Sequence, residues 1–294
     1  MKKHGKLLLK ISISALLLAV LFLRVDKNIL IKNLSLLDFR FAPFIVLFLA
    51  LNYLFSSIRW KRLLIYENTS GVSVWYLTSL YFIGSFFNNF MPTSIGGDVY
   101  KVYRLGKKIG NTPNALSATF MERFTGVIVL ALISIFGLIR YLGALTLIPF
   151  VLFILGMFFG LWLLKVLGDR FAKLKEIYES LMKYKKQYSV LTFALVTSII
   201  VQLMTILTQY FVFLSIGVRL PFFYSLLVFP VIVLASFFIP SLNGVGVQDA
   251  LYVSMFSVVG VRPETALSAS ILFHLFRLTV SLIGGGFYAA NKDE

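Results

Sequence analysis

The sequence predicts an all-α polytopic membrane protein, and three observations carry that prediction. Hydrophobic residues make up 59% of the 294-residue chain and charged residues 14%, with a mean hydropathy of +0.89; a soluble domain is about half apolar and about a quarter charged. Long apolar runs recur, close to the roughly 20 residues that a helix needs to cross a hydrocarbon core. The Lys and Arg residues cluster in short segments between those runs. The formal charge of +16 therefore reads as the positive-inside signal of cytoplasmic loops, attractive to anionic lipid headgroups, and not as a nucleic-acid surface. With no cysteine, disulfides and thiolate metal sites are excluded. His4 and His274 stand too far apart in sequence to suggest a metal site, and no cofactor-binding pattern is present.

The first element has the basic start and apolar run of a signal peptide but no small-x-small cleavage site. Leu7 to Leu23 is read as a retained span, cleavage being the alternative, and Lys2, Lys3 and Lys6 place the N-terminus in the cytoplasm. Phe41 to Ile58 follows and ends at Arg59, Trp60, Lys61 and Arg62, read as a cytoplasmic end with an interfacial tryptophan. Val74 to Met91 is long enough to cross, but a crossing would put Lys101, Arg104, Lys107 and Lys108 outside. Turning at Pro92 to Gly97 and returning to the cytoplasm removes the conflict, so the segment is expected to be a re-entrant pair.

Phe124 to Leu142 then goes outward and Ala144 to Leu167 comes back to the most basic stretch. There Phe171, Leu174, Ile177, Tyr178, Leu181 and Met182 recur at helical spacing. They predict an amphipathic helix, lying on the membrane surface or serving as a solvated linker. Val190 to Ile216 goes outward. Phe222 to Ile239, the break at Pro240 to Gly246, and Val247 to Val259 form a second re-entrant pair from the outside, and Thr265 to Ala289 brings Lys292 back to the cytoplasm.

The expected architecture is a single domain over 1–294 with six full crossings and two re-entrant broken-helix pairs, one from each face. That is an inverted repeat of about 41–142 and about 190–289. Local sequence agrees: Ser85-Phe86-Phe87 leads to Pro92, Gly96 and Asp98, and Ser236-Phe237-Phe238 leads to Pro240, Gly244 and Asp249. Eight simple crossings is the rival topology; it places the two most basic loops outside.

Non-helical backbone at membrane depth must be buried or line a wet cavity, because each unsatisfied amide in lipid costs several kcal/mol. The breaks containing Pro92, Gly96, Gly97, Pro240, Gly244 and Gly246 therefore imply a shielded cavity, with helix N-termini directed at an anionic ligand. Asp98, Glu122, Arg123, Asp249 and Arg277 are ionisable residues in or beside these segments, where charge is normally paired or functional. Arg123 and Arg277 suit a phosphate, since guanidinium presents a planar fork of donors. Asp98 and Asp249 could orient those arginines or carry a coupling proton, or all four could form structural ion pairs. Asn88, Asn89, Thr93, Ser94, Asn243 and Gln248 could bond sugar or glycerol hydroxyls or satisfy the broken backbone. His274, three residues before Arg277, is a core residue or a proton relay.

At Asn89-x-x-Pro92, Gly96-Gly97-Asp98, Arg104-Leu105, Glu122-Arg123, Pro240-x-x-x-Gly244-Val245-Gly246-Val247-Gln248-Asp249-Ala250 and Arg277, the chain resembles the flippase-like membrane region of the lysylphosphatidylglycerol synthases and its free-standing relatives. The resemblance implies a lipid translocase in the cell (plasma) membrane, with working positions at Asp98, Arg104, Glu122, Arg123, Asp249 and Arg277. Where the family commonly has Arg-Glu, this chain has Gln248-Asp249. It carries no aminoacyl-transferase domain, so synthase activity is not expected. The expected partners are membrane lipids with anionic headgroups, phospholipid or polyprenyl-phosphate-linked; a homo-oligomer stays open. The alternative is a membrane enzyme or accessory subunit that transfers a group onto a lipid carrier, with Asp98 and Glu122 as acid and base.

Overall fold

The computed structural model describes residues 23, 26–65, 69, 71–90, 96–239, 241 and 243–290. The expected first span, Leu7 to Leu23, lies outside the described residues except for its last residue, as do Pro92, Thr93, Ser94, Pro240 and Lys292. Among the described residues the fold is all-α and polytopic, with no strand.

Helix α1 (Lys27–Ser35) is capped by the Asp26 side chain, which accepts from the Asn28 and Ile29 N–H groups. Helix α2 (Ala42–Leu63) starts with Pro43 in its first turn, where the missing N–H is no loss. Then come α3 (Val74–Phe90), α4 (Gly96–Ile109), α5 (Thr112–Leu142), α6 (Leu147–Gly168), α7 (Ala172–Lys183), α8 (Tyr188–Ser215), α9 (Phe222–Phe238), α10 (Val247–Ser257) and α11 (Pro263–Ala290). Five stretches, Phe39–Leu63, Thr112–Ile139, Phe150–Gly168, Tyr188–Ser215 and Pro263–Ala290, are long and apolar enough to cross a membrane. The remaining long apolar segments are broken: α3 and α9 have 17 residues each, α4 has 14 and α10 has 11. Each is shorter than the roughly 20 residues a crossing takes.

Helices α2 and α8 run antiparallel along each other. The Asp38 N–H bonds the Ser215 carbonyl near one end, Asn52 reaches the Val201 carbonyl and Thr205 midway, and Arg59 reaches Ser198 further along. The other packings come in matching pairs: α3 lies on α11 and α5 on α9, α4 on α5 and α10 on α11, α3 on α4 and α9 on α10. Close crossings use glycine. A Cβ on Gly284 would fall 2.0 Å from the Phe82 carbonyl oxygen, and one on Gly97 would fall 2.1 Å from that of Gly84.

Three details depart from the sequence reading. Helix α5 begins at Thr112, twelve residues before the expected start, because Glu122 and Arg123 lie inside the helix with their charges paired. Trp60 is not interfacial: it is fully buried, edge-on to Tyr81. Lys101 is not a loop residue; it sits buried on α4, whereas Lys107 and Lys108 are exposed. The amphipathic stretch is helical as expected, and Leu181 and Tyr184 use the apolar side to pack against the end of α2.

Candidate functional site

The polar residues converge on one cavity of about 340 Å³, walled by α2, α3, α4, α5, α8, α9, α11 and the second break with the start of α10. Each wall has a local reason. On α2, Asn52, Tyr53, Ser56 and Arg59 recur at three- to four-residue spacing and so share one face. On α8 the same spacing aligns Gln202, Thr205 and, one turn on, Thr208.

One side of the cavity is charged. Asp98, in the first turn of α4, accepts from Arg123 Nη2 at 2.6 Å and Nε at 2.9 Å, and lies 2.9 Å from Lys101 Nζ. Glu122 accepts from Arg59 Nη2 at 2.6 Å, and Arg59 also donates to Ser198 at 2.7 Å. Lys101 Nζ stands 3.7 Å above the Tyr81 ring and 4.0 Å from the second Glu122 oxygen, joining the two pairs. Arg59, Lys101 and Glu122 are buried, whereas the Arg123 side chain is 45% exposed and faces the cavity.

The other side is built by the second break. Asn243 (φ 49°), Gly244 (φ 87°) and Gly246 (φ 84°) adopt left-handed backbone conformations. Glycine is favoured at 244 by its positive φ, and a Cβ there would also push against the Gln248 side chain, 2.6 Å away. Arg277 Nη2 donates to the Asn243 carbonyl at 2.9 Å, Asn243 Nδ2 donates to Asn89 Oδ1 at 2.9 Å, and Asn89 Nδ2 donates to Ser281 at 2.6 Å. The last turn of α3 and the second break are thereby bonded side chain to side chain, through residues 154 apart in the chain.

Of the expected site residues, Asp98, Glu122, Arg123, Asn243, Gly244, Gln248 and Arg277 line the cavity, and Asn89 holds its wall. Asp249 and His274 sit behind that wall: Asp249 Oδ2 accepts the Gly246 N–H at 2.7 Å, and its Oδ1 faces His274 Nε2 at 3.4 Å. Asp98 therefore orients Arg123, but the structure pairs Asp249 with His274 and not with Arg277. The Gly97 N–H is taken by Asn88 Oδ1 at 2.7 Å and the Gly246 N–H by Asp249, so these two helix-start donors are already satisfied. Gly96 opens α4 and is buried. Arg104 points elsewhere on α4 and is not part of the cavity wall. Sequence reasoning missed Arg59, Lys101 and the α2 and α8 polar stripes as site residues. The signal was the helical spacing of polar residues inside apolar runs, and Lys101 following Asp98 at i+3.

These features define a multi-pass all-α membrane protein with a charged interior cavity between two broken-helix units. Residues 7–285 match the family described as lysylphosphatidylglycerol synthase TM region, and the chain belongs to that family. It is also similar to a UPF0104 membrane protein of Pyrococcus horikoshii, 24% identical over 336 aligned positions that cover 99% of this chain and 98% of that protein. No solved structure matches the chain.

Proposed function

We propose that the protein is a lipid translocase that moves an anionic phospholipid or a polyprenyl-phosphate-linked lipid between leaflets of the plasma membrane. The observation that carries the reading is the cavity itself. It lies between two helix–break–helix units, and its wall exposes Arg123 and Arg277. Among the cavity-lining cations of the described residues, Arg59, Lys101 and Arg123 have carboxylate partners and Arg277 has none. A cation beside a membrane cavity without a carboxylate is suited to a phosphate. The headgroup enters the cavity, Arg123 and Arg277 neutralise it, and Asn88, Asn243, Gln202 and Gln248 offer bonds to its hydroxyls, while the tails stay in lipid.

Both units are re-entrant in this reading and related as an inverted repeat, with N- and C-termini in the cytoplasm. The antiparallel α2–α8 pair, the matched helix packings and the shortness of α3, α4, α9 and α10 support it. Rocking of one repeat against the other exposes the site to each leaflet in turn. The enzyme alternative has less support, because both carboxylates it requires as acid and base are held by Arg59, Lys101 and Arg123.

The test is reconstitution into vesicles with labelled phosphatidylglycerol and labelled polyprenyl phosphate. Faster inter-leaflet movement of one of them, lost in Arg277→Gln with lipid mass unchanged by mass spectrometry, is the expected result. No acceleration of either lipid would overturn the reading, and a lipid product of altered mass would favour the enzyme.

A further inference from the structure

We propose that Asp249 and His274 form a single proton-binding site whose occupancy is linked to anion binding at Arg277. The proposal rests on the anion-binding reading of the cavity and supplies the energy source that the reading lacks.

The two halves of the protein treat their aspartates differently. Asp98 and Asp249 both sit in the first turn of the helix that follows a break. Ser85 and Ser236, Asp98 and Asp249, Lys101 and Tyr252, and Arg123 and His274 all stand at one common separation along the chain. Asp98 is therefore matched with permanent cations, Lys101 and Arg123. At the corresponding positions Asp249 has Tyr252 and His274. Among the described residues no Lys or Arg comes within 4.0 Å of Asp249, which is 1% exposed. In place of a permanent cation it faces an imidazole, a group that can bind or release a proton.

The facing groups are few. Tyr252, on the same helix, donates to Gln209 of α8. Arg277 lies on α11, three residues after His274, and donates to the Asn243 carbonyl. Tyr53 of α2, on the Arg277 side, bonds Ser85 of α3. On α1, Lys32 is exposed; on α9, Tyr224 bonds the Met255 carbonyl at the far end of α10. Glu264 is ten residues before His274 on α11, about 15 Å along the helix.

With no proton on either group the pair leaves a lone negative charge in the core, which is strongly unfavourable. One proton removes that charge wherever it resides, as an Asp249–His274 ion pair or as two neutral groups, so the two share one proton-binding site. The positive charge of Arg277 opposes proton uptake. An anion bound at Arg277 cancels that opposition, so the pair takes up a proton as the anion binds, and the proton raises anion affinity by the same factor. The backbone offers a mechanical link too: Asp249 holds Gly246 N–H and Arg277 holds the Asn243 carbonyl, the two ends of one turn. A transmembrane proton gradient can thereby drive an anionic headgroup.

The experiment uses the purified full chain in detergent and dihexanoyl phosphatidylglycerol as the probe. Calorimetric titration in buffers of different ionisation enthalpy counts protons taken up per lipid bound. The expected result is net uptake near pH 7, with binding at least about fivefold tighter near pH 6 than near pH 8, and both effects lost in Asp249→Asn and His274→Gln. Binding without uptake overturns the linkage while leaving the anion site standing. Should the probe fail to bind, phosphatidylglycerol is excluded as the cavity's lipid, and the proton site is decided separately in the otherwise native chain. Ser241→Cys places the sole cysteine beside the turn. The labelling rate rises with pH through the thiolate fraction alone; a pH profile that departs from that rise, and reverts to it when combined with Asp249→Asn, supports the site, and the same profile in both overturns it.

Discussion

Arg59 and Glu122 show how a charge is kept in an apolar core. Their side chains are 5% and 4% exposed and meet at 2.6 Å, and Arg59 spends a second nitrogen on Ser198. Desolvating two charges is offset by close geometry and further bonds, and the offset here is incomplete, since Arg59 Nε and Glu122 Oε2 are buried without a hydrogen bond among the described residues. Removing one partner leaves the other buried and alone. Glu122→Ala is therefore expected to destabilise the protein by about 3–5 kcal/mol, read as a lowered unfolding midpoint in detergent, and the double variant Arg59→Met, Glu122→Met is expected to recover most of that loss. Asp98→Asn differs in kind, because its partner Arg123 is 45% exposed to the cavity and can take solvent instead. A smaller stability loss is expected there, measured on the same scale, together with altered affinity for an anionic headgroup.

At the scale of the element, the fold depends on a few places where backbones nearly touch. Gly284 of α11 packs on the Phe82 and Ile83 backbone, and Gly137 of α5 packs on the Leu227 backbone of α9. Gly284→Val inserts atoms where none fit and is expected to lower stability by about 1–3 kcal/mol or more, measured by thermal unfolding. Gly156→Ala and Gly160→Ala on α6, with nothing within 4 Å of a new Cβ, are expected to leave it unchanged. The existence of the helices was legible because apolar runs dominate the sequence. Their inner ends were not, since apolarity alone starts α5 at Phe124 and stops α2 at Ile58. The true ends include Glu122, Arg123 and Arg59, whose charges belong inside only once their partners on other helices are known. The Gly96-Gly97 pair was read as a break, and its second role, letting α4 lie against Gly84 of α3, depends on a contact that no local pattern encodes.

At the scale of the molecule, two broken units meeting at Asn89 and Asn243 were foreseeable from the repeated Ser-Phe-Phe and Pro-x-x-x-Gly strings. The buried charge network was not, because Arg59 and Lys101 look like the loop cations that set orientation. Removing them from the count leaves the side of the α3–α4 unit resting on Arg104 and on Lys107 and Lys108, exposed at the end of α4, and that of the α9–α10 unit on the sparsely charged segment around Arg262. The charge bias works through cations near the membrane surface, so those exposed residues are the ones that matter. In the re-entrant topology α4 returns to the side from which α3 departed, and α10 likewise returns to the side of α9. Single cysteines placed at Lys107 and at Arg262 in this cysteine-free chain, probed with a membrane-impermeant maleimide in intact cells, test this directly. Arg262→Cys is expected to label from outside and Lys107→Cys only after the membrane is opened. Labelling of Lys107→Cys in intact cells would replace the two re-entrant units with simple crossings, and the cavity between them would then face lipid through a different pair of gates.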